Sequence, residues 1–302
     1  MQLRLKPIRT INEFQDSTFL SGSVMCMDVK HNEVLLTDYY MGQIIVLDSD
    51  LNLKERIGEN GIAPNEFVRA EKFCTDGNRI YTINDGGNHV KVYEKNSFSH
   101  NINFPKDNEL TTWTRFFYYN NSIFHSVISK NIPAISFDMN GVVSKKVCDF
   151  TTYDNHSLPF HSARHLIKGK KSFFVIGQVL PIFEEYDLNC KRINSFDLSS
   201  IEYIEDIVKK YQNSQQYPDK YFVMIQDVYY SDNKVFLLIA SNKNNYVCNK
   251  IIVLIAENEI KQIAEIELEG KVYLSFCINK KRLFAFNALN AQLEEYELLT
   301  LN

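Results

Sequence analysis

GENGIAPNEFVRAEKFCTDGNRIYTINDGGNHVKVYE, residues 58–94, carries three short runs separated by turn-forming residues. The runs are AEKFCT (Ala70 to Thr75), RIYTIN (Arg79 to Asn84) and HVKVYE (His89 to Glu94), with the β-branched and aromatic content of strands. Asp76-Gly77 suits a tight first hairpin, and Gly86-Gly87-Asn88 tolerates positive φ in the second. HNINF, ending at Phe104, supplies a fourth run. Four antiparallel strands joined by short turns are the reading.

The same order recurs on both sides. VMCMDV, EVLLTDY, QIIVLD and KERIG precede it, from Val24 to Gly58. TRFFYY, SIFHSVI, AISFDM and KKVCDF follow, ending at Phe150, and then ARHLIK, SFFVIGQV, FEEYDL and RINSFDL, ending at Leu198. MIQDVYY, VFLLIAS, KIIVLI and KQIAEIEL form a fifth group, while YLSFCIN, RLFAFNA and QLEEYELL form a sixth with only three strands. An aromatic or aliphatic residue followed by an acid marks the third strand at Leu47-Asp48, Tyr93-Glu94, Phe137-Asp138, Tyr186-Asp187 and Tyr296-Glu297. The first intervals, about 46, 44 and 49 residues, match four-stranded propeller blades.

The expected fold is therefore all-β: a single domain over residues 1–302, a six-bladed β-propeller of four-stranded antiparallel blades. The alternating segment LRLKPIRTI (Leu3 to Ile11) is expected to supply the missing strand of the last blade, since an unpaired sheet edge would otherwise remain. Between blades four and five an insertion places Ile201, Ile204, Val208 and Tyr211 at helical spacing, with Ser199 and Glu202 as a capping box and Pro218 beyond. It predicts a helix over about 200–217 lying on one face of the disc.

Composition narrows the function classes. The formal charge of −4 gives no global attraction for phosphate backbones, so no nucleic-acid partner is expected. Arg69, Lys72, Arg115, Lys130, Arg164 and Lys243 are the residues that a basic face would need. Six cysteines stand far apart without a CxxC pair, which gives zinc-ribbon and thioredoxin readings no footing. No apolar run approaches the ~18 residues of a membrane span. The opening MQLRLKPIRTINEF has no apolar leader, so the chain as given reads as a cytoplasmic monomer, or a periplasmic or lipid-anchored one if an export signal has been removed.

Gly58, Gly61, Pro64 and Phe67, followed by Asp76-Gly77, Ile80-Tyr81, Asn84, Asn88-His89 and Val92-Tyr93, resemble an NHL-repeat blade. Across its length the chain is similar to the six-bladed, TolB-like propellers common in Bacteroidetes. That resemblance implies a rigid disc, often exported. A likeness to gluconolactonase-type propellers would imply a divalent cation held by oxygen ligands in the central channel, for which Glu71, Asn131, Asp227 and Asn245 have the right chemistry.

Propellers gather side chains at the channel mouth, where loops entering each first strand meet those joining second to third strands. On this assignment the ligand-binding candidates are Tyr39, Tyr40, Arg69, Trp113, Arg115, His161, Arg164, Asp227 and Asn245. Guanidinium, imidazole, aromatic and amide groups together suit a protein, peptide or glycan ligand. A non-catalytic binding scaffold with no cofactor is expected; the alternative is a metal-dependent lactonase- or lyase-type enzyme. His161 and His165 stand four apart, which presents both on one face only in a helix, whereas this segment reads as loop into strand. No GxSxG elbow, GxGxxG or phosphate loop occurs.

Overall fold

The computed structural model describes residues 2–84, 89–104, 109–129, 131–151, 159–201, 204–205, 208–209, 223–241, 247–256 and 259–301. Its first strand, β1 (Gln2–Ile11), belongs to the last blade. Blade one is β2 (Met27–Lys30), β3 (Glu33–Asp38), β4 (Gln43–Leu47) and β5 (Leu53–Ile57); blade two is β6 (Ala70–Thr75), β7 (Arg79–Asn84), β8 (His89–Glu94) and β9 (Ser97–Asn103). In blade three the innermost strand is broken into β10 (Glu109–Leu110) and β11 (Phe117–Tyr119), both paired with β12 (Ser122–Ile128), ahead of β13 (Ala134–Asp138) and β14 (Val143–Lys146). Blade four is β15 (Arg164–Lys168), β16 (Ser172–Gly177), β17 (Ile182–Asp187) and β18 (Arg192–Asp197). Blade five is β19 (Ile225–Ser231), β20 (Lys234–Ser241), β21 (Val247–Ala256) and β22 (Ile260–Glu267). Blade six is β23 (Tyr273–Asn279), β24 (Arg282–Asn287) and β25 (Gln292–Leu301), completed by β1.

The six-bladed arrangement follows from alternation. In β3, Val34 and Leu36 pack toward blade six while Leu35 packs toward blade two. Both faces of each inner strand are thus buried against a neighbour. Six apolar clusters result, one between each adjacent pair of blades, the last joining Phe284, Phe286 and Leu293 of blade six to Val34, Leu36 and Leu47 of blade one.

The recurring acid of the third strand has a local cause. Asp48, Asp138 and Asp187 each accept from the backbone N–H groups two and four residues on, at 2.8–2.9 Å, and so hold the turn into the fourth strand. Leu51, Gly141 and Cys190 occupy the left-handed position of that turn. At Glu94 the turn shrinks to Lys95-Asn96, with both residues at positive φ, and the acid instead pairs with Arg79 at 2.9 Å.

Ring closure joins the two ends of the chain in antiparallel register, Leu3 opposite Thr300 and Ile11 opposite Leu293. The Glu295 carboxylate, fully buried, accepts from Arg9 of β1 at 2.5 Å and also pairs with Arg282. Both arginines reach the Ser49–Asp50 turn of blade one, Arg9 to Asp50 O at 2.5 Å and Arg282 to Ser49 O at 2.8 Å. Glu295→Ala should therefore lower unfolding free energy in urea by about 2 kcal/mol, because it removes the buried acceptor of two charge-assisted bonds from Arg9 and Arg282. Glu297→Ala, which removes an exposed 3.9 Å contact with Lys6, should change it by less than about 0.5 kcal/mol.

The helix expected over about 200–217 is not borne out as a regular element. Much of that stretch, Glu202 and Tyr211 included, lies outside the described residues. What is described begins with a 3-10 turn, Leu198–Ser200, capped by the Asp197 carboxylate accepting from Ser199 N–H, so the cap precedes the expected Ser199. Ile201, Ile204 and Val208 are buried in the cluster between blades four and five, which explains their apolar spacing without requiring the full helix.

Candidate functional site

The first strands meet around the axis in tiers. Six five-residue segments are equivalent: VMCMD (Val24 to Asp28), AEKFC (Ala70 to Cys74), WTRFF (Trp113 to Phe117), ARHLI (Ala163 to Ile167), IQDVY (Ile225 to Tyr229) and YLSFC (Tyr273 to Cys277). Their fourth residues are buried and apolar. Their third residues, Cys26, Lys72, Arg115, His165, Asp227 and Ser275, are buried too, yet five of the six are polar or charged. β-Bulges lie at this level in β6, β19 and β23, where the extra residue re-aims side chains.

Asp227 is the centre of the tier. Arg115 donates to it through Nε at 2.8 Å and Nη2 at 2.7 Å, a two-pronged pair. Lys72 Nζ stands 3.2 Å from Oδ1, and Ser275 Oγ donates to Oδ2 at 2.7 Å. Arg115 also donates to Met27 O at 2.9 Å and Phe276 O at 3.0 Å, while its backbone N–H donates to His165 Nδ1 at 3.1 Å. His165 Nε2 lies 3.2 Å from Ile225 O, which makes it the N–H-bearing nitrogen. Every blade supplies at least one partner.

Electrostatics follow from this geometry. Burial alone would raise the Asp227 pKa, but the Arg115 and Lys72 charges and the Arg115 and Ser275 hydrogen bonds overcome it and hold the carboxyl well below the usual carboxylate range. Burial, aided by the Lys72 charge, pushes His165 down to about 3. An ionised carboxylate with both oxygens already hydrogen-bonded and a neutral histidine with both nitrogens engaged make a bracing network across the axis. Arg115 stacks over the Tyr229 ring at 5.5 Å, continuing the network one tier further.

That next tier, two residues along each strand, surrounds a cavity of about 180 Å³ opening toward the turns between first and second strands. Asp28, Phe117 and Tyr229 belong to it. Tyr229 Oη donates to Asp28 Oδ1 at 3.0 Å. Burial pushes the Asp28 carboxyl pKa up, against the opposing pull of Arg115.

The residues singled out from sequence do not gather in one place. Arg115 and Asp227 meet directly in the axial network. Tyr39, Tyr40 and Arg69 meet on the rim of the opposite, entry-loop face: Arg69 donates to Tyr39 Oη at 2.9 Å and lies over its ring at 5.3 Å, and the two tyrosine rings pack edge-on at 5.1 Å. Trp113 is half-buried at the first tier, and His161 sits buried on the 3-10 turn Pro159–Ser162. Arg164 is buried and donates to Ser162 O at 2.7 Å. Asn245, with Asp85, Lys130, Asn242 and Lys243, lies outside the described residues.

Of the oxygen ligands implied for a cation, Asp227 is engaged by Arg115, Lys72 and Ser275, Glu71 is buried and Asn131 is exposed. Among the described residues no three His, Cys, Asp or Glu side chains gather as a metal site. Lys72, Ser275, Asp28 and Tyr229 were not among the candidates for the axis. The signal for the first two was a polar residue at the third place of otherwise apolar segments, visible only once the six segments are superimposed.

Among solved structures, the chain is similar over 99% of its length to 99% of a DUF4221-family protein from Bacteroides vulgatus, at 13% identity and a TM-score of 0.63. A putative exported protein from Bacteroides fragilis matches at 13% identity and a TM-score of 0.63, covering 99% of this chain and 96% of that one. BamB from Moraxella catarrhalis matches at 8% identity and a TM-score of 0.54, over 97% of this chain and 99% of the other. The likeness is one of fold. No family model matches the chain, nor does any curated protein, so the NHL and TolB-like resemblance of residues 58–94 gains no family-level support.

Proposed function

We propose that the protein is a non-catalytic scaffold that docks a protein partner on its entry-loop face, at the junction of blades one and two. The supporting observation is a concentration of exposed apolar side chains there: Tyr40 at 61%, Met41 at 52%, Ile62 at 93% and Val68 at 42% exposure. Patches of this kind on a rigid support mark interaction sites, and aromatic anchors with arginine dominate interface energies. The support is rigid for identifiable reasons. Asn60 Nδ2 donates to Tyr40 O at 3.1 Å, tying the blade-one loop to the loop entering blade two. Phe67, beneath them, is buried and stacks on Tyr93 at 5.7 Å.

A cross-linking comparison tests the reading. Ile62→Asp combined with Tyr40→Asp should leave thermal unfolding within about 2 °C of the parent, since both side chains are exposed, while reducing capture of the parent's partner at least about tenfold. Equal capture by parent and variant would remove this face as the docking site. Turnover of a small substrate by the parent, unaffected by the double substitution, would favour the enzymatic alternative.

A further inference from the structure

The mouth opposite the docking face is ringed by the turns that join first to second strands, and their charge is uneven. Counting each turn with the strand residue on either side, blade four presents Lys168, Lys170 and Lys171, and blade six presents Lys280, Lys281 and Arg282. Lys234 of blade five lies between them and Lys30 of blade one follows, so the basic residues run along four consecutive blades. Eight basic residues against two acids, Glu33 and Asp232, give these four turns +6 in a chain whose total is −4, so the remainder carries −10. The turns of blades two and three add only Asp76 and Arg79, which cancel.

Availability separates this arc from an ordinary solvated surface. Lys30, Lys170, Lys171, Lys234, Lys280 and Lys281 are half-buried or exposed, and none is in an ion pair with a described residue. Arg282 is held by Glu295, and Lys168 lies over the Tyr119 ring at 5.3 Å. Acids beside the arc are engaged: Glu33 pairs with Lys54, and Glu185, which lines a cleft with Lys170 and Lys171, accepts from Ser172 Oγ at 2.6 Å. Asp28 sits inside the axial cavity, where it accepts from Tyr229 Oη. Like charges gathered on one rim repel one another, and a polyanion relieves that repulsion.

Shape and residue type decide the class of polyanion. Farther out on the same face, the turns from third to fourth strands carry Asp48, Asp50, Glu94, Asp138 and Asp187, so the basic zone is a narrow arc that suits a single chain better than a flat anionic membrane. Nucleic-acid strands are gripped by stacked aromatics and by arginine forks on phosphate. The four turns hold no Phe, Tyr or Trp, and Arg282 is already paired. Lysine ammoniums on flexible stems suit carboxylates spaced along a polypeptide.

We infer that this arc docks an extended acidic polypeptide segment, laid across blades four, five, six and one with its carboxylates on the six lysines. The arc shares no residue with the apolar docking face, nor with the basic set drawn from sequence.

Fluorescence-anisotropy titration of the full chain with a labelled peptide of about ten glutamates at low ionic strength tests it, beside an oligothymidylate of equal charge and phosphatidylserine vesicles. The peptide should bind saturably with a Kd on the order of 100 μM or below and weaken at least about tenfold when salt is raised to about 150 mM. Oligonucleotide and vesicles should bind at least about fivefold more weakly. Lys280→Glu with Lys281→Glu should weaken the peptide at least about tenfold, whereas Lys6→Glu with Lys271→Glu, off the arc and equal in charge change, should weaken it less than about twofold. All four side chains are exposed, so both variants should unfold within about 3 °C of the parent. No saturable peptide binding, tighter binding of oligonucleotide or vesicles, or equal weakening in the two double variants overturns the assignment.

Discussion

Asp227→Ala is expected to lower the unfolding free energy by about 3–5 kcal/mol, because it leaves Arg115 and Lys72 buried without a counter-charge. Equilibrium urea denaturation, read as a shift in midpoint at constant slope, measures the loss. The cost should exceed that of any surface ion pair in the molecule. Asn at the same position should recover little, since an amide accepts only through one oxygen and carries no charge. A triple replacement, Lys72→Met with Arg115→Met and Asp227→Leu, removes the imbalance and should regain part of the stability. It should not regain all of it. Arg115 also satisfies the Met27 and Phe276 carbonyls, and each buried acceptor left without a donor costs roughly 1–3 kcal/mol. Full recovery by the triple variant would show that the carbonyl contacts carry no weight.

Acid sensitivity with a midpoint well above the carboxylate range is the second large effect expected. Burial holds His125 and His165 at about 3, whereas both titrate near 6.5 once unfolded. Their folded pKa values are depressed, so the unfolded chain binds protons that both rings refuse in the folded state between pH 6.5 and about 3, and His89 and His161, lowered by burial too, act in the same direction. Stability is complete above pH 6.5 and falls on acidification by roughly 1.4 kcal/mol per pH unit for each histidine. Asp227 adds to the loss below its unfolded pKa, in the same direction. Asp28, raised rather than lowered, acts the other way and is relieved by acid. Since domains are stable by only about 5–15 kcal/mol, the urea midpoint should collapse between pH 6 and 4. His125→Gln should reduce the slope by up to about 1.4 kcal/mol per pH unit. His125 suits that experiment because its ring, stacked on Phe116 at 4.8 Å, lies outside the axial network. A midpoint independent of pH down to 4 would contradict the neutral, buried state of both rings.

Strand order and blade number were legible because they rest on local chemistry repeated along the chain. The turn at Asp48, Asp138 and Asp187 needs only an acid with two backbone N–H groups a few residues on, and the paired positive-φ turns at His31-Asn32, Asn120-Asn121 and Asp232-Asn233 need only residues that tolerate that conformation. The insertion after blade four was legible only in part, since a 3-10 turn opens it and much of 200–217 lies outside the described residues. Ile201, Ile204 and Val208 have helical spacing, but a buried face on a neighbouring cluster imposes apolar residues at those places whether or not a regular helix runs through them.

Candidate site residues fared unevenly because sequence places a residue on a strand but not along the axis. Arg115 and Asp227 were read as entry-loop residues at the channel mouth, whereas Asp227 lies within β19, and the bulges in β6, β19 and β23 lie at the level where these third-tier side chains meet one another on the axis. By itself, then, the amino-acid order determined six blades and the closure of the ring by its first strand, since alternation, turn residues and an unpaired edge are properties of short segments. Only the tertiary structure decided that opposite charges 112 residues apart neutralise each other on the axis and that a cavity lies beyond them, because those contacts arise when six distant strands converge at one line.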